Sequence, residues 1–93
     1  MPDRIAVERV RDGTFRVTVS EGGSRTDHTV TLEDAYHARL TGGRVAAEEL
    51  VRRSFEFLLE REPKESILSS FALPVIGRYF PEYEREMKRQ LGG

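Results

Sequence analysis

The chain has 93 residues, of which 38% are hydrophobic and 33% charged, and its 15 basic and 16 acidic side chains leave a net charge of −1. This composition is too apolar for a disordered chain, and the length predicts a single domain over 1–93. The balanced charge does not favour nucleic acid as the main partner. The absence of cysteine excludes disulfide frameworks, thiolate zinc sites and cysteine nucleophiles.

The chain carries no sign of a membrane segment. No apolar run approaches the roughly 18 residues of a transmembrane helix, and the N-terminal segment MPDRIAVERV lacks the apolar core of a signal peptide. We therefore predict a cytoplasmic protein with no membrane partner. Only two of the 15 basic residues are lysine, and this arginine bias is typical of a GC-rich bacterial source.

Three segments in the first third, RIAVERV, TFRVTVS and RTDHTVT, alternate apolar and polar residues with a period of two. They predict a three-stranded antiparallel meander over residues 4–10, 14–20 and 25–31. A three-residue loop over 11–13, with Gly13 left-handed, pairs Val7 with Val17 and gathers the apolar side chains on one face. A two-residue turn would divide them between the two faces. The turn at Gly22-Gly23 then places Val17 opposite His28.

Segments with helical periodicity follow the meander. We predict helices over residues 32–40, 45–61, 66–71, 74–79 and 81–91, packed on the apolar face of the sheet in an α+β fold. Thr31 is predicted to cap the first helix and Pro81 to open the last. The main helix has an apolar arc of about 200°, wider than packing on one surface requires. We expect its second neighbour to be the C-terminal segment or a second copy of the chain.

No catalytic, cofactor-binding or metal-binding motif stands out, so we expect no catalytic residue, no cofactor and no metal. His28 is predicted to be a hydrogen-bonded histidine at the margin of the core. Glu33 and His37 stand four apart on the first helix but lack a third ligand at a useful spacing. An enzyme that uses the two histidines and carboxylates is the least favoured hypothesis, and we expect a protein that is not an enzyme.

The stretch FALPVIGRYFPEYEREM, residues 71–87, holds four of the aromatic rings in a chain with five Phe and three Tyr. The rings could belong to the core, but aromatic side chains beside arginine are also typical of protein interfaces. The candidate interface residues are Phe57, Phe71, Arg78, Tyr79, Phe80, Tyr83 and Met87. We expect a non-enzymatic interaction module that forms a homodimer or binds an unidentified protein partner.

The alternative function is a weak nucleic-acid-binding or antitoxin-like regulatory protein that uses the polar face of the sheet. The candidate residues there are Arg4, Arg16 and Arg25, because basic side chains on a sheet can contact phosphates. No aromatic residue is interleaved with them, although stacking on single-stranded bases requires one. Nucleic acid is therefore the less favoured partner.

Two resemblances accompany these patterns. The order of elements from the first strand through the first helix resembles antitoxin domains of the HicB type, but the glycine-rich PGC-like stretch of that family is missing. The run TGGRVAAEELVRRSFEFLLEREP, followed by SIL, an aromatic residue and IGRYFPEYE, resembles short bacterial proteins of unknown function. This likeness covers most of the chain. It implies a stand-alone protein and brings no activity and no site residue.

Overall fold

The computed structural model describes residues 4–92; the first three residues and Gly93, which the predicted domain includes, lie outside this range. The described strands are β1 (Ile5–Arg11), β2 (Thr14–Glu21), β3 (Ser24–Thr31) and β4 (Ser70–Ala72). The described α-helices are α1 (Asp34–Thr41), α2 (Ala47–Leu59), α3 (Ile76–Tyr79) and α4 (Tyr83–Leu91). Short 3-10 turns occupy Lys64–Ser66 and Leu73–Val75. The α+β class is confirmed, but the sheet has four strands and is mixed.

The first three strands form the predicted meander. Val7 pairs with Val17, and Val17 pairs with His28, so the predicted register is confirmed in both hairpins. Gly13 has φ 77°, as the left-handed position requires. The predicted three-residue loop is corrected: Arg11 belongs to β1 and pairs with Thr14, so the turn consists of residues 12–13, and a bulge between Arg9 and Arg11 sets the register. One face of the sheet consequently carries the apolar side chains.

The helix predicted over residues 66–71 is wrong, because this segment contributes a fourth strand. Ser70–Ala72 pairs in parallel with β3, with Phe71 opposite Val30, and the amide of Thr29 donates to the carbonyl of Ser69 at 2.8 Å. The strand is only three residues long, too short for a periodic signal, and its partner lies far away in sequence. Pairing with that partner overrides the local helical pattern. β4 thereby covers the edge of β3.

Two predicted helix starts are also corrected. Thr31 does not cap α1: it remains in β3, and Glu33 occupies the N-cap position without a side-chain capping bond. Pro81 lies outside α4, because Glu82 is the N-cap residue. α1 ends before Gly42, which is left-handed with φ 69°.

The main helix α2 lies on the apolar face of the sheet. Its apolar arc contacts the meander on one side and α4 on the other, so the C-terminal helix packs on its own chain. Arg9 of β1 donates to both carboxylate oxygens of Glu48 at 3.0 and 3.3 Å, which links strand to helix. No helix within residues 4–92 is long and apolar enough to cross a bilayer.

A polar cluster joins α4 to α1. The hydroxyl of Tyr36 donates to Oε2 of Glu84 at 2.8 Å, and Nη2 of Arg39 donates to the same oxygen at 2.8 Å. Burial raises the pKa of the Tyr36 hydroxyl well above its ordinary value, so this tyrosine stays protonated and remains a donor. The cluster fixes the end of the chain against the body of the domain.

Candidate interaction surface

Three of the seven candidate interface residues lie in the core. Tyr83 and Met87 are fully buried, and Phe57 is almost fully buried. The rings of Phe57 and Tyr83 meet edge to face with centroids 5.3 Å apart. A partner cannot reach these side chains on the folded chain, so they contribute to any interface only by supporting the residues outside them.

The hydroxyl of Tyr83 is satisfied inside the core. Ser54 Oγ donates to the carbonyl of Leu50 at 2.7 Å, and the Tyr83 hydroxyl lies 2.6 Å from the same Oγ. Because serine has a single hydroxyl proton, Tyr83 is the donor to Ser54. Burial raises the pKa of Tyr83 far above its ordinary value, which keeps this proton in place. The buried stripe of α4, formed by Tyr83, Met87 and Leu91, is therefore structural.

The other aromatic candidates line an open groove beside α3, which we call the apolar groove. It encloses about 180 Å³. Its walls are Leu58, Glu62, Ser66, Ile67, Leu68, Phe71, Val75, Ile76, Tyr79 and Phe80. Phe71 and Phe80 are half-buried, whereas Tyr79 is 66% exposed. Phe80 is held from behind by the ring of Phe57, with centroids 5.9 Å apart at 81°.

Exposed apolar surface is concentrated at this groove. Among residues 4–92, the large hydrophobic side chains with substantial exposure are Val10 at 45%, Leu68 at 46% and Tyr79 at 66%. Leu68 and Tyr79 both line the groove. Scattered exposed hydrophobic residues are normal on a protein surface, whereas these two lie together on one concave apolar site.

One wall of the groove carries an acid that has no side-chain partner within residues 4–92. Glu62 follows the end of α2, is only partly exposed, and forms no side-chain hydrogen bond or ion pair within residues 4–92. Burial among apolar neighbours raises the pKa of its carboxyl. The adjacent Arg61 is already engaged, since its guanidinium donates to Glu82 at 3.1 Å and stacks on the ring of Phe57 at 3.6 Å.

A cation that has no ion-pair partner in the described part of the chain lies next to the groove. Arg78 immediately precedes Tyr79 on α3, is exposed, and forms no ion pair within the described part of the chain. Within the residues that the structure describes, the groove region thus combines apolar surface, an unpaired carboxylate and a neighbouring unpaired guanidinium.

Comparison with known proteins assigns no function to this groove. No protein-family model, curated protein or solved structure matches the chain. The resemblance to short bacterial proteins of unknown function stays a prediction, as does the likeness to antitoxin domains.

The polar face of the sheet carries the candidates for nucleic-acid binding. Arg4 pairs with Glu21, and Arg16 lies 3.9 Å from Glu8. Arg25 is exposed and has no ion pair within residues 4–92. Two of the three candidate arginines are thus balanced by nearby acids, which weakens their attraction for phosphate.

His28 is buried more deeply than its predicted place at the core margin, with 3% exposure, and both ring nitrogens are hydrogen-bonded. Nδ1 lies 2.8 Å from the carbonyl of Leu68, and a carbonyl can only accept, so Nδ1 carries the proton. Nε2 then accepts from the hydroxyl of Thr26 at 2.8 Å. The ring packs against Phe55 with centroids 5.3 Å apart. This histidine fastens the segment before β4 to β3.

His37 does not pair with Glu33 through its ring. Its Nε2 donates instead to the carbonyl of Val45, which ties α1 to the connection that precedes α2. Among the residues that the structure describes, no three His, Asp or Glu side chains group as a metal site would.

Sequence reasoning missed Leu68 and Glu62 as groove residues. Leu68 falls in a segment predicted as helix, so its exposure beside β4 could not be anticipated. Glu62 stands directly before Pro63, where α2 has ended, and the apolar run from Ile67 to Ile76 follows. An acidic residue between the end of a helix and a largely apolar segment is the sequence pattern that could have identified Glu62 as a groove residue.

Proposed function

We propose that this chain is a non-enzymatic interaction module that forms a homodimer through the apolar groove. The observation that carries this proposal is the convergence of two exposed large hydrophobic side chains, Leu68 and Tyr79, on one concave apolar site. Removing such surface from water is favourable, roughly in proportion to the area covered. The third exposed side chain of this kind, Val10, lies on β1 and provides a natural comparison.

A second copy of the chain is the occupant that the chain's own properties favour. A domain of 93 residues buries only part of its surface when it folds, and oligomerisation is a common way to bury more. In a twofold dimer, each copy presents the same groove and the same projecting rings. One symmetric contact therefore covers the exposed apolar surface of both chains.

The residues around the groove suit a stable contact. Tyrosine and arginine are enriched among the residues that dominate binding energy, and Arg78 and Tyr79 lie side by side on α3. Phe80 is half-buried and backed by Phe57, so its exposed edge is already fixed in position. Ordering such a surface on association costs little side-chain entropy.

Molar mass in solution tests the proposal. We expect light scattering behind a sizing column to give the mass of two chains at high concentration and to fall towards one chain on dilution. Leu68→Ser and Tyr79→Ser should shift the equilibrium to monomer and leave the far-UV circular dichroism unchanged, because both side chains are exposed.

Val10→Ser is the matched control, since Val10 and Leu68 are 45% and 46% exposed. It should leave dimerisation unchanged. A wild-type chain that stays monomeric at every accessible concentration would refute the proposal, and so would an equal loss of dimer in the Val10 and Leu68 variants.

A second candidate function, nucleic-acid binding through the polar sheet face, is supported by the exposure of that face, on which Arg25 remains unpaired within residues 4–92. A gel shift with DNA or RNA at low salt, lost in the Arg16→Ala and Arg25→Ala variants, would support it. The absence of a shift at low salt would exclude it. We rank it second because Arg4 and Arg16 lie against acids.

A further inference from the structure

We propose that the dimer is twofold symmetric and that two reciprocal ion pairs, each between Glu62 of one copy and Arg78 of the other, fix its register. This inference rests on the proposed function, because it assigns the polar contacts of the same groove. The two ion pairs make the groove bind a second copy of this chain in preference to a purely apolar surface.

Glu62 supplies the acidic half of each pair. Its carboxylate lines the apolar groove and has no hydrogen bond or ion pair within residues 4–92. Apolar neighbours raise its pKa, and covering the groove with a purely apolar partner would bury the charge further at a large cost. The groove therefore favours an occupant that brings a cation to this wall.

Arg78 supplies the basic half. It projects from α3 next to Tyr79, is exposed, and has no ion pair among the described residues. Other arginines near the groove are already committed, as Arg61 is to Glu82. A guanidinium is weakly hydrated and can bind a carboxylate through two parallel hydrogen bonds, so it is well suited to an interface.

Symmetry makes the two halves meet twice. In a twofold contact, if residue i of one copy touches residue j of the other, then j of the first touches i of the second. A Glu62 that finds Arg78 across the axis thus implies the equivalent pair at the other end of the interface. Two such pairs disfavour dimers in other registers, because a shift of one copy along the other leaves both Glu62 carboxylates buried without a partner in the interface.

Charge reversal across the interface tests this arrangement. Glu62→Arg places two cations together at both ends of the dimer, and Arg78→Glu places two acids together. Each variant alone should lose dimer affinity by at least about tenfold, because like charges in contact repel. An equimolar mixture of the two variants should form heterodimers more stable than either variant's homodimer, because each of the two ends then brings opposite charges together.

The double variant Glu62→Arg/Arg78→Glu should dimerise with itself as well as the wild type does, because both reciprocal pairs are restored with reversed signs. Arg44→Glu serves as the control for charge reversal away from the groove, because Arg44 is exposed in the connection between α1 and α2. It should leave the wild-type affinity unchanged. Light scattering on each variant gives the mass from which these affinities follow.

The outcomes separate the two proposals. A wild-type chain that is always monomeric removes the proposed function and this inference together. Suppose instead that the wild type dimerises and that Leu68→Ser weakens the dimer. The ion pairs alone are then overturned if Arg78→Glu leaves the dimer intact, or if the double variant does not recover the wild-type affinity. Arg78 is exposed, so Arg78→Glu folds and distinguishes these outcomes even if Glu62→Arg does not fold.

Discussion

The hydroxyl pair in the core offers the sharpest test of the structural role given to Tyr83. The Tyr83 hydroxyl donates to Ser54 Oγ across 2.6 Å, and Ser54 donates onward to the carbonyl of Leu50 across 2.7 Å. The two residues lie far apart in sequence, on α4 and α2, so this chain of hydrogen bonds forms only when the C-terminal helix is docked. Three variants follow: Tyr83→Phe, Ser54→Ala and the double variant.

The two single changes should differ in cost. Tyr83→Phe removes one neutral hydrogen bond, and Ser54 keeps its bond to Leu50, so the free energy of unfolding should fall by about 0.5–1.5 kcal/mol. Ser54→Ala leaves the Tyr83 hydroxyl buried without an acceptor, which costs about 1–3 kcal/mol. The double variant removes both groups and leaves no orphaned donor. It should cost no more than Ser54→Ala alone.

Urea unfolding followed by far-UV circular dichroism measures these differences, at a protein concentration where light scattering shows monomer for every variant. Total stabilities of domains are about 5–15 kcal/mol, so shifts of this size move the midpoint measurably. A double variant whose cost equals the sum of the two single costs would mean that the hydroxyls do not interact, and the packing of α4 on α2 would need revision.

Three further predictions concern single positions and use the same unfolding assay. Gly13→Ala should lower stability by about 1–2 kcal/mol, because φ is 77° and the added Cβ would lie 3.4 Å from the Leu32 carbonyl; an unchanged midpoint would contradict the turn geometry. His28→Leu should cost about 1–3 kcal/mol, since it orphans the Leu68 carbonyl; a loss below about 0.5 kcal/mol would argue against that bond. Glu62→Gln should gain stability relative to wild type as pH rises above 4.5. The raised folded-state pKa lets the unfolded chain release its proton first, so wild-type stability falls over that interval; parallel pH profiles would refute this.

The meander could be predicted from the sequence in detail because its determinants are local. Period-two alternation fixes which side chains share a face, and gathering the apolar side chains on one face fixes the register between Val7 and Val17. Both signals lie within a few residues of the contacts they specify.

The C-terminal half could be predicted only in outline. Helical periodicity located α2 and α4, but it could not show whether the stripe of α4 faces its own chain or a partner, since Tyr83 and Met87 suit either. β4 escaped prediction because a three-residue parallel strand is defined by its distant partner. The apolar groove depends on both features. The full set of residues that line it could therefore not be predicted from the sequence, although Tyr79 and Phe80 were named as candidates.

The placement of β4 also has a consequence for the order in which the chain is made. A ribosome delivers the meander first, and the open edge of β3 then presents unpaired backbone groups until Ser70–Ala72 emerges. An uncovered strand edge readily pairs with strands of other chains. The nascent protein is therefore exposed to misassembly at this edge from the emergence of β3 until β4 emerges, and the segment that covers the edge acts as its own safeguard.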